Sequence, residues 1–220
     1  QGQSAVETVE YTIADGKGDT DSAVLTIGIE GLNDDPQVDG PISDQSNNDG
    51  DMVLSLDVSF VFSDLDGDAL VFTANGLPPG LIIDPVTGVI SGTLPSDASQ
   101  GGPYPVIITV TDPSGVTSST GFDWTVSNPS PDAVDNGAAA PEDTPVLISL
   151  LGNDMDPDGD PLTVVGYTEP RHGSLIQNPD GSFTYTPEPG FHGTDDFTYT
   201  ISDGNGGLDT ATVSLAVASV

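Results

Sequence analysis

The chain has 220 residues, room for about two ordinary domains. It carries 2 Lys+Arg against 35 Asp+Glu, a formal net charge of −33, and that field repels phosphate polymers and anionic lipid, so no nucleic acid and no membrane surface is expected as a partner. Cys is absent, which excludes disulfides and zinc–thiolate sites; no apolar run of about twenty residues appears, so no membrane insertion by this segment is expected; hydrophobic residues at 35%, arranged in short alternating runs, argue against acidic disorder.

The first element in chain order is a hairpin. Residues 11–27 read YTIADGKGDTDSAVLTI: strand, DGxG turn, strand. Residues 1–35 are expected to be this hairpin, the end of a repeat unit, followed by the linker GLNDDP. A lone two-stranded hairpin is marginal in water. It therefore either docks on a neighbour, the similar last unit above all, or belongs to a split unit; the sequence leaves both open. The abrupt opening in a strand-like run suggests an internal piece of a longer chain, monomeric within it.

Short β-branched segments follow at 53–62, 69–74, 81–83, 86–91, 106–111, 122–126, 146–151, 162–167, 182–186, 196–202 and 210–217, bounded by Gly, Pro, Asn and Asp. Many short strands with regular turn signals predict an all-β protein of Ig/cadherin-like β-sandwich domains in tandem. Repeats set the boundaries. Residues 199–215, YTISDGNGGLDTATVSL, copy the first hairpin, and 109–119, TVTDPSGVTSS, are a looser third version. The motif D-x-D-G-D-x-L occurs at 64–70 and 156–162, each followed at nearly equal distance by an Asp-bearing turn at Asp112 and Asp203. The expected units are 36–129 and 130–220, each about the size of a seven-stranded sandwich.

The carboxylates cluster in Gly- and Pro-punctuated turns instead of lining helix faces. Alternating residues of a D-x-D-G-D turn point the same way, so Asp64 and Asp66 converge with Asp68 nearby, and Asp156 and Asp158 converge between Asp154 and Asp160. Two or three carboxylates with carbonyls and water make the hard-oxygen shell that suits calcium, so Ca2+ is the expected cofactor. An EF-hand is excluded, because Val165 stands where the bidentate Glu would be. Solvated acidic turns are the alternative, for Asp15, Asp19 and Asp203 in particular.

The pieces PEDTPV (141–146), NDMDPDGDPLTV (153–164), PRHGSL (170–175), DGSFTYTP (180–187), FHGTDDFTYTISDGNGG (191–207) and DTATVSL (209–215) resemble the cadherin-like tandem repeats of large bacterial surface proteins. SDLDGDALVF, GLPPGLIIDPVTGVISGTLP (76–95) and VTDPSG resemble the dystroglycan-type cadherin-like, immunoglobulin module. One such module between tandem repeats is similar to the ligand-binding region of Gram-negative RTX adhesins. That resemblance implies an extracellular, secreted segment at the bacterial cell surface, holding a protein or peptide ligand on another cell surface by its C-terminal end, for adhesion or biofilm formation. It also implies metal ligands: Asn33, Asp34 and Asp35 from the linker, Asp64 and Asp66, then Asp112; in the last domain Asp156, Asp158 and Asp203, with Glu142 near the first strand. The second linker, SNPSPD, departs from the pattern and offers only Asn128 and Asp132.

The Gly-rich stretch 95–105, PSDASQGGPYP, is the candidate ligand loop: Asp97 and Gln100 could read a side chain, while Gly101 and Gly102 permit close backbone approach. A merely flexible loop is the alternative. No catalytic set is visible, and the chain is read as no enzyme. His172 and His192 each precede Gly in a turn, and Trp124 reads as core. The rival functions are a purely structural calcium-rigidified extender, a carbohydrate-binding module, and an accessory domain of a secreted hydrolase.

Overall fold

The computed structural model describes residues 4–220. Almost every element is a strand. The first two, β1 (Ser4–Ala14) and β2 (Thr20–Glu30), pair antiparallel in unbroken register from Ser4↔Glu30 to Ala14↔Thr20. Every residue of both strands is exposed, so the hairpin does not dock on the last domain.

The middle unit contains β3 (Gln37–Val38), β4 (Gln45–Asn48), β5 (Met52–Asp57), β6 (Phe62–Ser63), β7 (Val71–Asn75), β8 (Leu81–Ile83), β9 (Val89–Thr93), β10 (Tyr104–Thr111) and β11 (Thr117–Ser127). A four-stranded sheet of order β4-β11-β10-β7 faces a three-stranded sheet β5-β9-β8, with β3 pairing β6 at the side. The last unit contains β12 (Asn136–Pro141), β13 (Val146–Ile148), β14 (Thr163–Tyr167), β15 (Gly173–Gln177), β16 (Phe183–Pro187), β17 (Gly193–Ser202) and β18 (Leu208–Ala218). It repeats the plan: β12-β18-β17-β14 against β13-β16-β15. In both units the first strand of the large sheet runs parallel to the last strand, β4 along β11 and β12 along β18.

Period-two alternation explains why these sequences settle as sandwiches. Phe197, Tyr199 and Ile201 on β17 and Ala211, Val213, Leu215 and Val217 on β18 all point inward and are buried. Tyr185 and Phe183 meet them from β16. A separate core in the middle unit gathers Val58, Ile90, Ile108, Val110 and Trp124. Trp124 is fully buried, as its sequence context suggested, and its indole Nε1–H donates to Asn47 Oδ1 at 3.0 Å. Trp124→Phe is expected to cost about 1–3 kcal/mol, because it strands the Asn47 carbonyl and opens a void. Urea unfolding monitored by circular dichroism checks this. Among the described residues no helix is long and apolar enough to cross a membrane.

Candidate metal centre

The two D-x-D-G-D turns have the same internal wiring. Asp64 Oδ1 accepts from the backbone N–H of Asp66 (2.9 Å) and Asp68 (3.2 Å), and Asp156 Oδ1 accepts from Asp158, Gly159 and Asp160, each at 3.1 Å. The first Asp thus folds the loop around its own side chain, an Asx-type turn. The Gly at the crest, Gly67 or Gly159, takes a positive φ of 74° or 86° that other residues resist. The consequence is convergence. Carboxylate oxygens of Asp64, Asp66 and Asp68 lie within 4.8 Å of one another, and so do those of Asp156, Asp158 and Asp160.

A second turn closes on each cluster. Asp112 and Asp203 follow β10 and β17 and are both buried. Asp112 Oδ1 accepts from Val116 N–H and the Ser114 hydroxyl, each at 2.8 Å; Asp203 Oδ1 accepts from Asn205 N–H (2.8 Å) and Gly207 N–H (2.9 Å). The other oxygen of each takes the amide of an asparagine from the preceding linker. Asn33 Nδ2 donates to Asp112 Oδ2, and Asn128 Nδ2 to Asp203 Oδ2, both at 2.7 Å. The Asn33 amide, more than any other contact, brings the Asp112 carboxyl down to about 2. Asp34 N–H adds a bond to Asp66 Oδ2 at 2.8 Å.

What these bonds leave over is the informative part. Asn33 Oδ1 and Asp64 Oδ2 at the first junction are buried without a hydrogen-bond partner, as are Asn128 Oδ1, Asp156 Oδ2 and both oxygens of Asp158 at the second. Each such atom costs about 1–3 kcal/mol, more when charged. Burial, then the neighbouring Asp156, pushes the Asp158 carboxyl up to about 7. The donor set is all oxygen and strongly anionic, with no imidazole or thiol in either cluster. That composition fits a hard divalent cation of the calcium type, which would replace the missing donors and cancel the repulsion.

At the second junction the middle unit supplies a wall. Asp49 is 3% exposed, its Oδ1 accepts from Ser99 N–H at 2.8 Å, and its Oδ2 is unpartnered. The adjacent Gly50 packs on the Asp156–Asp160 turn so closely that an added Cβ would sit 2.9 Å from Asp158 Cβ. Asn205 ties the units together. Its side-chain amide donates to Asp160 Oδ2 and to Ser96 O, and its backbone carbonyl accepts from Gln100 Nε2 at 3.1 Å.

Other expected site residues lie elsewhere. Asp154 sits apart from the cluster: its carboxylate accepts from the Tyr199 hydroxyl at 2.9 Å and from Val134 N–H at 2.8 Å. Glu142 is at the far end of β18 from the Asp203 turn, its Oε1 accepting from Val220 N–H and its N–H donating to Ala218 O. Asp35 accepts through its backbone carbonyl from Gln37 Nε2 at 2.9 Å. Asp132 forms a backbone bridge with Met155. Asp97 is exposed and precedes a short 3-10 turn, Ala98–Gly101. Gly101 and Gly102 lie against the Tyr104 ring, where a Cβ on Gly101 would stand 2.6 Å from the phenol oxygen. His172 stacks on Phe191 at 4.3 Å, and His192 lies 4.0 Å from Glu142. Asp49 and Asn205 were not foreseen. Asp49 belongs to an NNDGD run (47–51) that reads as one more turn, and nothing in its spacing marks it.

Comparison with known proteins divides the chain in the same place. Residues 128–216 match the family described as bacterial Ig domain, and residues 35–127 the family described as "Putative Ig domain". Both units are Ig-like. The chain is also similar to Protein GAMETE EXPRESSED 2 of Arabidopsis thaliana, 41% identical over 88 residues, which is 40% of this chain and only 9% of that protein. Solved structures similar to it include mouse cadherin-23 EC22-24 (17% identity, TM-score 0.45, 98% of this chain and 74% of that one). Drosophila N-cadherin EC1-4 (15%, 0.43, 99% and 58%) is another. An endo-fucoidan hydrolase of glycoside hydrolase family 107 is a third (17%, 0.40, 98% and 34%).

Proposed function

We propose that the chain is a calcium-stiffened, adhesion-type extracellular segment of a bacterial surface protein, working by recognition and not by turnover. The observation that carries this reading is the duplicated junction: a linker asparagine, a D-x-D-G-D turn and a buried late-turn Asp meet twice, each time leaving buried oxygens without donors. One Ca2+ or more at each junction would be held by Asp64, Asp66, Asp68, Asp112 and Asn33, and by Asp156, Asp158, Asp160, Asp203 and Asn128. The ion supplies charge neutralisation and a shared coordination shell. The chain's own part is to present preformed oxygen donors from two units and their linker, so that filling the site restricts the angle between them.

Holding a partner's C-terminal carboxylate near residues 95–105 is the finer reading, since a cation is the natural anion attractor on so acidic a surface. The extender reading has its own support. Gln100 and Ser96, in that same loop, are already engaged with Asn205 of the last unit.

Isothermal titration with Ca2+ and small-angle scattering test the first part. Saturable heat and a narrower, more extended distance distribution with calcium are expected; identical scattering in calcium and in chelator, with no heat, would refute it. For the second part, the immobilised chain is screened against peptides with free C-termini. Binding lost on C-terminal amidation, on chelation and in Asp97→Ala supports the peptide site, and indifference to all three leaves the extender.

A further inference from the structure

The hairpin β1–β2 and the hairpin β17–β18 are the same object in two settings. Tyr11 corresponds to Tyr199, Ala23 to Ala211 and Leu25 to Val213, and the pairing is identical: Val9↔Leu25 and Tyr11↔Ala23 in one, Phe197↔Val213 and Tyr199↔Ala211 in the other. The polar details repeat as well. The Thr12–Ser22 hydroxyl pair at 2.8 Å matches Thr200–Thr210 at 2.9 Å. Asp15 Oδ1 accepts from Lys17 and Asp19 N–H as Asp203 Oδ1 does from Asn205 and Gly207.

Only the cover differs. On β17–β18 the inward residues Phe197, Tyr199, Val213 and Leu215 are at most 2% exposed, packed under the sheet β13-β16-β15. On β1–β2 the equivalent Val9, Tyr11, Leu25 and Ile27 are 43–52% exposed. Two acidic residues carry the same signature. Asp195 receives the N–H groups of Arg171 and His172, and Asp209 receives that of Ala133, all from strands or turns earlier in the unit. Their counterparts in the hairpin are Glu7 and Asp21.

We infer that the odd-numbered face of β1–β2 is the docking face for one occupant: an apolar half-sandwich of the kind that β13-β16-β15 forms, contiguous with β1 on its N-terminal side. In the complete unit the covering strands precede the hairpin, which places this occupant before β1 in the same polypeptide. The hairpin then closes a third sandwich, whose base meets the Asn33–Asp112 junction as the Asp49 wall meets the second. This inference is independent of any metal.

The test exchanges the two hairpins within the full chain, 5–30 for 193–218 and the reverse, and follows amide exchange. Protection is expected to go with position and not with sequence. Amides of Tyr11, Leu25 and Ile27 slow at least a hundredfold once their hairpin lies in the last unit, and those of Tyr199, Val213 and Leu215 become labile in the first position. A graft of 6–31, slipped by one residue, turns the apolar face outward and should leave the last unit unfolded. A second exchange carrying Glu7→Asp and Val9→Phe guards against a void at the Phe197 position and a longer carboxylate at the Asp195 position. If 5–30 stays labile in both exchanges, the inference falls. It also falls if the unaltered chain sediments as a dimer that Leu25→Asp abolishes, since the face would then belong to a second copy.

Discussion

Asp158→Asn is expected to raise the melting temperature of the metal-free chain while removing most of the gain that calcium confers. The two signs follow from one arrangement. Without metal, Asp158 holds both carboxylate oxygens buried and unpartnered beside Asp156 and Asp160, so its charge goes uncompensated once it ionises. An amide of the same shape carries no charge and can donate into the cluster, so the folded state gains. With metal, the same carboxylate is a ligand, and its loss weakens the site. A ligand at a hundred times its dissociation constant adds about 2.7 kcal/mol per site to the native state. For a unit of this size each kilocalorie shifts the melting point by about 4–8 °C. Differential scanning calorimetry of both chains, in calcium and in chelator, checks all four values. Equal shifts in both chains would mean that the turn is only a solvated loop.

The same carboxyl sets a pH dependence for the metal-free state. Its ionisation lies near 7 in the folded chain against an ordinary 3.8. Between those values the folded state holds a proton that the unfolded state has released, so its stability falls as pH rises from about 4 to about 7 and is level above. Asp158→Asn should flatten that slope, as should saturating calcium.

How far the sequence reached can be judged from particular residues. The all-β class and the sandwich plan were legible because strands such as 106–111 and 210–217 alternate cleanly, apolar in and polar out. Three strands longer than the two-residue β3 escaped the sequence reading: β15 (GSLIQ) turns only Leu175 fully into the core, and the other two show no apolar–polar alternation in sequence although their burial alternates. β4 reads QSNN and β12 reads NGAAAP; each is held by a parallel partner, β11 or β18, and that partnership is invisible locally. The segment expected as one strand at 53–62 is broken by a short 3-10 turn at Ser59–Val61, where Val58 and Val61 drop into the core.

At the junctions, D-x-D-G-D announced the convergence of Asp64 with Asp66 and of Asp156 with Asp158, because an Asx turn is a local event. Long-range placement was another matter. Asp154 is close to Asp156 in sequence but is drawn away to the Tyr199 hydroxyl, and Asp49 arrives from more than a hundred residues upstream because Gly50 lets two units approach. The linkers GLNDDP and SNPSPD look unlike each other, yet each offers one asparagine to one buried aspartate. Composition hid that equivalence, since only the side-chain amide matters to the geometry.

Asp195→Ala is expected to be strongly destabilising to the last unit, costing about 3–5 kcal/mol as several buried donors lose their acceptor at once. The carboxylate is 4% exposed, yet its two oxygens accept from Arg171, His172 and Asp196 N–H, each at 3.0 Å, and from the Tyr185 hydroxyl at 2.9 Å. It staples the turn before β15 onto β17, across the mouth of the core that Tyr185 fills. Alanine leaves the turn's backbone donors and a buried phenol unsatisfied together. Tyr185→Phe removes only the phenol's share and should cost about 1 kcal/mol. The double variant should be less destabilised than the sum of the two, because the hydroxyl and its acceptor vanish together. Since the two units have separate cores, the calorimetric transition of the last unit should fall by roughly 15 °C or more while that of the middle unit holds. Calcium should still recover part of the loss. The Asp156–Asp160 turn and Asp203 lie at the opposite end of the sandwich from the Asp195 turn, so metal and staple act on the same folded unit through different bonds, and their effects on its free energy should add. A drop shared equally by both transitions would instead mean that the contacts of Asn205 and Gly50 make the units unfold as one body.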